Sequence, residues 1–201
     1  MTKPSPDAPP SSLNLPNVLT CLRIVAGPVI LLWFFIDPRS PGPFVVFVFA
    51  AMTDFLDGWT ARRFGQITAI GRILDPIADK SLTISVLLAL ASTPLGGDWV
   101  FLAAAATIVL REVSVAALRA YLRWSNAPTR LSVTNLAKWK TIMQFTALGA
   151  LIASVALSSA GLELFGLCVL WIAAGLTIVT GWDYFAKAFV LLMNRSTGAG
   201  S

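Results

Sequence analysis

Long apolar stretches separated by short polar turns set the character of this chain. The first covers about Val18–Ile36, after a short interfacial segment at Ser11–Pro16. Asp37-Pro38-Arg39-Ser40-Pro41-Gly42-Pro43 closes it, because proline and glycine interrupt helices and favour turns. A second stretch runs from about Phe44 to Phe64 and a third from Gly71 to about Ala91, with a polar bend at 65–70 between them. Beyond Thr93-Pro94-Leu95-Gly96-Gly97, a fourth covers about Trp99–Leu122. A basic loop at 123–135 leads to a fifth, about Leu136–Leu157, and a sixth, about Leu162–Met193. A bilayer-crossing helix needs roughly 20 apolar residues. The pattern therefore predicts an all-α integral membrane protein with six transmembrane helices. One six-helix domain is expected at 13–195, between a disordered tail at 1–12 and a second tail at 196–201.

Composition supports this reading. The 201 residues are 56% hydrophobic and 12% charged, where a soluble domain carries about 25% charged residues. Cys21 and Cys168 sit in apolar runs without the spacing of a metal knuckle, and are expected to be small buried hydrophobes. Histidine is absent, which excludes imidazole bases and His-dependent zinc sites. The Pro- and Ser-rich residues 1–12 lack the apolar core of a signal peptide. With the amino terminus inside, only Arg39 of the 15 Lys and Arg residues falls in an outside loop. By the positive-inside rule, both termini are expected in the cytoplasm. Trp33, Trp99, Trp124 and Trp182 are expected to form interfacial belts.

The charge pattern changes the picture at one place. Asp54, Asp57, Asp75 and Asp79 lie at the cytoplasmic ends of the second and third stretches, where ionisable groups are costly and usually mark a site. Asp54 and Asp57 are three apart, Asp75 and Asp79 four apart; on helices each pair shares a face. Four carboxylates held together repel and take up protons unless a cation intervenes. All-oxygen ligation suits Mg²⁺ or Mn²⁺, and four carboxylates suffice for two ions, an arrangement used in phosphoryl displacement. Gly58, Ala61 and Gly71 have almost no side chain and let a ligand approach the helices, while Arg62 is placed to pair with phosphate oxygens. Pro76 removes one helical donor beside the cluster. Carboxylates that merely pair with Arg62, Arg63 or Arg72 to tie helices together are the competing explanation, and four aspartates with interleaved small residues exceed that need.

The run Asp54-x₂-Asp57-Gly58-x₂-Ala61-Arg62-x₈-Gly71-x₃-Asp75-x₃-Asp79 resembles the full motif of the CDP-alcohol phosphatidyltransferases, with eight fixed positions at fixed spacing. The resemblance spans most of the chain and extends to the branch that makes phosphatidylglycerophosphate. It includes Leu15-Pro16-Asn17-x-Leu19-Thr20-x₂-Arg23, Lys80 after Asp79, Arg111-Glu112 with Leu118-Arg119, Lys138-x-Lys140-Thr141 followed by Gln144, and Leu176-Thr177-x₃-Gly181. The branch often has Gly where this chain has Ala137, and Glu where it has Ala120.

The resemblance implies a six-helix homodimer that moves a phosphatidyl group from CDP-diacylglycerol to sn-glycerol 3-phosphate and releases CMP. It maps the metal ligands to Asp54, Asp57, Asp75 and Asp79, the general base to Asp79, and the CDP site to Asp54, Asp57, Gly58, Ala61, Arg62 and Gly71. An acceptor that carries a phosphate needs a cationic pocket, which Arg111, Arg119, Lys138 and Lys140 can supply. Arg111 lies about three turns inside the fourth stretch and needs a partner or ligand there, with Glu112 expected to point elsewhere. Asn17, Thr20, Arg23 and Lys80 are further candidates, although Asn17 and Thr20 also suit a helix cap. Sister acceptors are inositol phosphate and phosphatidylglycerol. A divalent-cation pathway is the alternative from another class, disfavoured because the chain lacks the internal repeat typical of transporters.

Overall fold

A computed structural model describes the backbone of residues 15–64, 71–124 and 135–198, with side chains described at 18–53, 77–78, 80–118, 120 and 138–182. The expected tail at 1–12, the bend at 65–70 and most of the basic loop lie outside the described residues. The described elements are α1 (Leu15–Ile36), α2 (Gly42–Phe64), α3 (Gly71–Ala91), a 3-10 turn (Pro94–Gly97), α4 (Trp99–Trp124), α5 (Asn135–Leu157) and α6 (Ala160–Gly198). Each expected apolar stretch is a helix. α1 begins at Leu15, so Asn17 and Thr20 lie inside the helix and do not cap it. α6 continues to Gly198, beyond the expected end at Met193.

The chain forms two compact units, residues 1–89 and 90–201. In the first unit α1 packs on α2. Thr20, Arg23, Gly27, Ile30 and Phe34 make the buried stripe of α1, at the alternating three- and four-residue spacing of a helix face. Pro28 lies inside α1 and lacks the amide that would bond the Ile24 carbonyl. The Ser81 hydroxyl of α3 donates to that carbonyl at 3.4 Å. Gly27 permits the approach, since a Cβ there would lie 2.9 Å from the Ser81 carbonyl oxygen. Between α1 and α2, the Arg39 amide donates to Asp37 Oδ1 and the Gly42 amide to Ser40 Oγ, which turns the chain with its own side chains.

In the second unit α4 and α5 both pack on α6. Thr93 caps the 3-10 turn, and Asp98 caps α4 by accepting from the Val100 amide at 2.8 Å. α5 ends with Ser158 in the left-handed region, φ 50°. The Ser159 amide then bonds the Ser154 carbonyl and the Ser158 amide the Val155 carbonyl, the Schellman arrangement that satisfies the last carbonyls of a helix.

Polarity is distributed in the reverse of a soluble protein. Arg23, Glu112, Lys140, Gln144 and Thr177 are buried, while Leu32, Phe35, Phe49, Leu110 and Trp182 are exposed. Among the described residues, four helical stretches are long and apolar enough to cross a membrane: Val18–Ile36, Trp99–Leu118, Lys138–Leu157 and Ala160–Trp182. Gly42–Thr53 and Lys80–Ala91 are shorter apolar helices among the described residues. Such a surface, with backbone bonds closed inside helices, belongs to a multi-pass membrane protein. Cys21 and Cys168 are both exposed, contrary to the expected burial. A helix that meets lipid can be apolar all round, so an apolar neighbourhood does not identify its protein-facing side.

Candidate active site

Asp54, Asp57, Gly58, Ala61 and Arg62 all fall within the helical backbone of α2, and Gly71, Asp75 and Asp79 within α3. Beyond the backbone, all eight lie outside the described residues, as does the side chain of Arg119 on α4. Among the described residues, no group of three or more His, Cys, Asp or Glu side chains gathers to hold a metal. The aspartates themselves are a carboxylate-only donor set, which matches a hard divalent cation such as Mg²⁺.

The cationic residues of the second unit are described in more detail. Arg111 and Glu112 stand on α4, Lys140 on α5 and Thr180 on α6. Arg111 Nη1 donates to Glu112 Oε1 at 3.0 Å, and Lys140 Nζ donates to the same Glu112 oxygen. Arg111 Nη2 donates to Thr180 Oγ1 at 2.9 Å, and the Thr180 hydroxyl in turn donates to the Leu176 carbonyl at 2.8 Å. The guanidinium is thus fixed from two helices. Gly181 makes room for its stem, since a Cβ there would lie 3.2 Å from Arg111 Cγ. Glu112 and Lys140 are each 8% exposed, so the pair is held away from solvent.

The expectation that Glu112 points elsewhere is overturned. Neighbouring residues on a helix diverge by about 100°, but the long arginine stem bends back across that angle. Lys138, two residues before Lys140, is exposed and does not join the cluster. Two residues span about 200° around a helix, so the two lysines lie on nearly opposite faces. Of the cations expected to form the acceptor pocket, Arg111 and Lys140 are therefore brought together.

Two buried polar atoms of this cluster, Arg111 Nε and Thr177 Oγ1, lack a hydrogen-bond partner among the described residues. Most buried polar atoms in folded proteins have a hydrogen-bond partner. Thr177 and Thr180 lie one turn apart on α6, both buried. Thr180 is the contact that sequence reasoning missed. Its signal was present in the Thr177-x₂-Thr180-Gly181 spacing, which puts polar and small residues on one face of an apolar helix. In the first unit, Arg23 and Thr20 are buried on α1, at 2% and 1% exposure, and Lys80 on α3 is partly buried.

The profile of the CDP-alcohol phosphatidyltransferase family matches residues 13–179. A CDP-diacylglycerol–glycerol-3-phosphate 3-phosphatidyltransferase of Rickettsia bellii is 42% identical over 180 residues, covering 86% of this chain and 93% of its own. The protein of that name from Cereibacter sphaeroides is 33% identical over 220 residues, covering 90% of this chain and 98% of its own. A CMP-forming cardiolipin synthase of Oryza sativa is 35% identical over 202 residues, covering 92% of this chain and 60% of its own.

Proposed function

Because this chain belongs to the CDP-alcohol phosphatidyltransferase family, we propose that it transfers a phosphatidyl group from CDP-diacylglycerol to sn-glycerol 3-phosphate. The products are phosphatidylglycerophosphate and CMP. Relatives at 33–42% identity bear the name of that activity. The observation that carries the acceptor class is the pairing of the partly buried Arg111 and the buried Lys140 on one carboxylate oxygen within apolar helices. Two cations that share a single carboxylate keep a net positive charge at that point, and a small phosphorylated acceptor meets it. Membership in a transferase family sets aside the cation-transport alternative.

In the proposed chemistry the acceptor hydroxyl attacks the phosphorus that bears diacylglycerol. The bond from that phosphorus to the CMP oxygen breaks, and the hydroxyl proton passes to the Asp79 carboxylate. Asp54, Asp57, Asp75 and Asp79 would hold Mg²⁺ or Mn²⁺, as two ions, whose charge neutralises the diphosphate. Gly58, Ala61 and Gly71 leave space for the CDP moiety, and Arg62 pairs with its phosphates. Arg111 and Lys140 bind the acceptor phosphate. All six helices are taken to cross the cytoplasmic (inner) membrane, with both termini and the active site on the cytoplasmic side, in a homodimer.

Cardiolipin synthesis, with phosphatidylglycerol as acceptor, is the second reading, favoured by the plant relative of that name. The test is CMP release from CDP-diacylglycerol and Mg²⁺ by the purified protein in detergent. Glycerol 3-phosphate, inositol phosphate and phosphatidylglycerol are offered separately. Release with glycerol 3-phosphate alone, abolished in Asp79→Asn, is the expected result. Release with phosphatidylglycerol instead would move the chain to the second reading.

A further inference from the structure

Glu112 is more than a counter-ion in this cluster. Its Oε1 accepts from Arg111 Nη1 and from Lys140 Nζ, so one atom draws together cations from α4 and α5. Both cations lie within hydrogen-bond reach of that oxygen, which places them no more than about 6 Å apart. Without the carboxylate, two positive charges at that separation, one buried and one partly buried, would repel and swing apart on their long stems. The opposite edge of the guanidinium is fixed by Thr180 on α6. Three helices therefore converge on one polar node.

Arg111, Glu112 and Lys140 sum to a charge of +1. A carboxylate present only to neutralise a buried cation would leave none. Arg111 Nε and Thr177 Oγ1 are also buried without a partner among the described residues. Among the described residues the node thus keeps both positive charge and unused hydrogen-bonding capacity inside an apolar span, where each is costly unless a ligand or water meets it.

We infer that Glu112 is a positioning residue for the acceptor site: it holds Arg111 and Lys140 side by side so that they meet a phosphate monoester together. This rests on the reading that those two cations bind the acceptor phosphate. Glu112 touches neither substrate; it acts through the two cations it aligns.

The test uses the full-length protein in detergent, with initial rates of CMP release measured against glycerol 3-phosphate and, separately, CDP-diacylglycerol. Glu112→Gln keeps the shape and removes the charge. It should raise the KM for glycerol 3-phosphate by about tenfold to a hundredfold, the range for losing a charge-assisted hydrogen bond, with the KM for CDP-diacylglycerol within about twofold of wild type. Glu112→Asp, which keeps the charge on a shorter stem, should restore part of the loss and serves as the second variant if Glu112→Gln does not fold. Lys140→Met should add less in the Glu112→Gln background than it does alone, because coupled residues are non-additive.

A purely structural carboxylate would lower kcat through the folded fraction and leave both KM values unchanged, and that outcome overturns the inference. So does a fall in the acceptor KM, which would mean that Glu112 competes with the phosphate. Arg111→Gln and Lys140→Met separate the two levels. If they leave the acceptor KM at its wild-type value, the acceptor-site reading itself fails. If they raise it while Glu112→Gln does not, the inference about Glu112 alone fails.

Discussion

Gly181 stands on α6 where an added Cβ would lie 3.2 Å from Cγ and 3.3 Å from Nε of Arg111. Non-bonded carbons prefer about 3.5–4.0 Å, so Gly181→Ala displaces the arginine stem by a few tenths of an ångström. The guanidinium cannot follow freely, because Glu112 and Thr180 hold it at 3.0 and 2.9 Å. Overpacking of this kind costs about 1–3 kcal/mol, while alanine gains up to about 1 kcal/mol over glycine in a helix. Global stability should therefore fall by about 0–2 kcal/mol, with the strain concentrated on the cation. A loss of about 1–2 kcal/mol at the acceptor site corresponds to a KM for glycerol 3-phosphate raised by about 5- to 30-fold. Gly175, on the same helix, has nothing within 4 Å of an added Cβ, and Gly175→Ala is the matched control. The assay is CMP release against acceptor concentration at saturating CDP-diacylglycerol, with the thermal midpoint measured in the same detergent. A wild-type acceptor KM in Gly181→Ala would refute the reasoning. So would an equal rise in Gly175→Ala.

Two further outcomes are expected. Ser158→Gly should stabilise the protein by about 1 kcal/mol, since the left-handed conformation at φ 50° costs an L-residue roughly that much; a lower thermal midpoint would contradict it. Chelation of divalent ions should abolish CMP release, with recovery on adding Mg²⁺; full activity after exhaustive chelation would remove the metal from the proposed chemistry.

The helices were legible because the chain punctuates them so clearly. Asp37 to Pro41 and Thr93 to Gly97 carry their own turn chemistry, and apolar runs of bilayer length lie between. Facing was harder to read. Cys21 and Cys168 sit among apolar neighbours on every side, and in lipid the outward face is as apolar as the inward one. Thr20 was ambiguous between a cap and an interior residue, and the start of α1 at Leu15 places it within the helix. At the node, the cations Arg111 and Lys140 could be read from their position in apolar helices. Their alignment by Glu112 could not, because it depends on how arginine bends rather than on register. Thr180 contacts Arg111 across 69 residues of sequence, a separation that local spacing does not bridge.

Pro28 withholds a hydrogen from the Ile24 carbonyl, and a hydroxyl on another helix supplies it. Water does not reach the hydrocarbon interior, so an unmet carbonyl there has nowhere else to turn. Apolar side chains offer little preference between one neighbour and the next when lipid is equally greasy. Sliding α3 by a single residue along α1 would carry Ser81 away and bring bulk against Gly27. The alignment of these two helices is thus encoded by what α1 lacks: an absent donor and an absent side chain at consecutive positions.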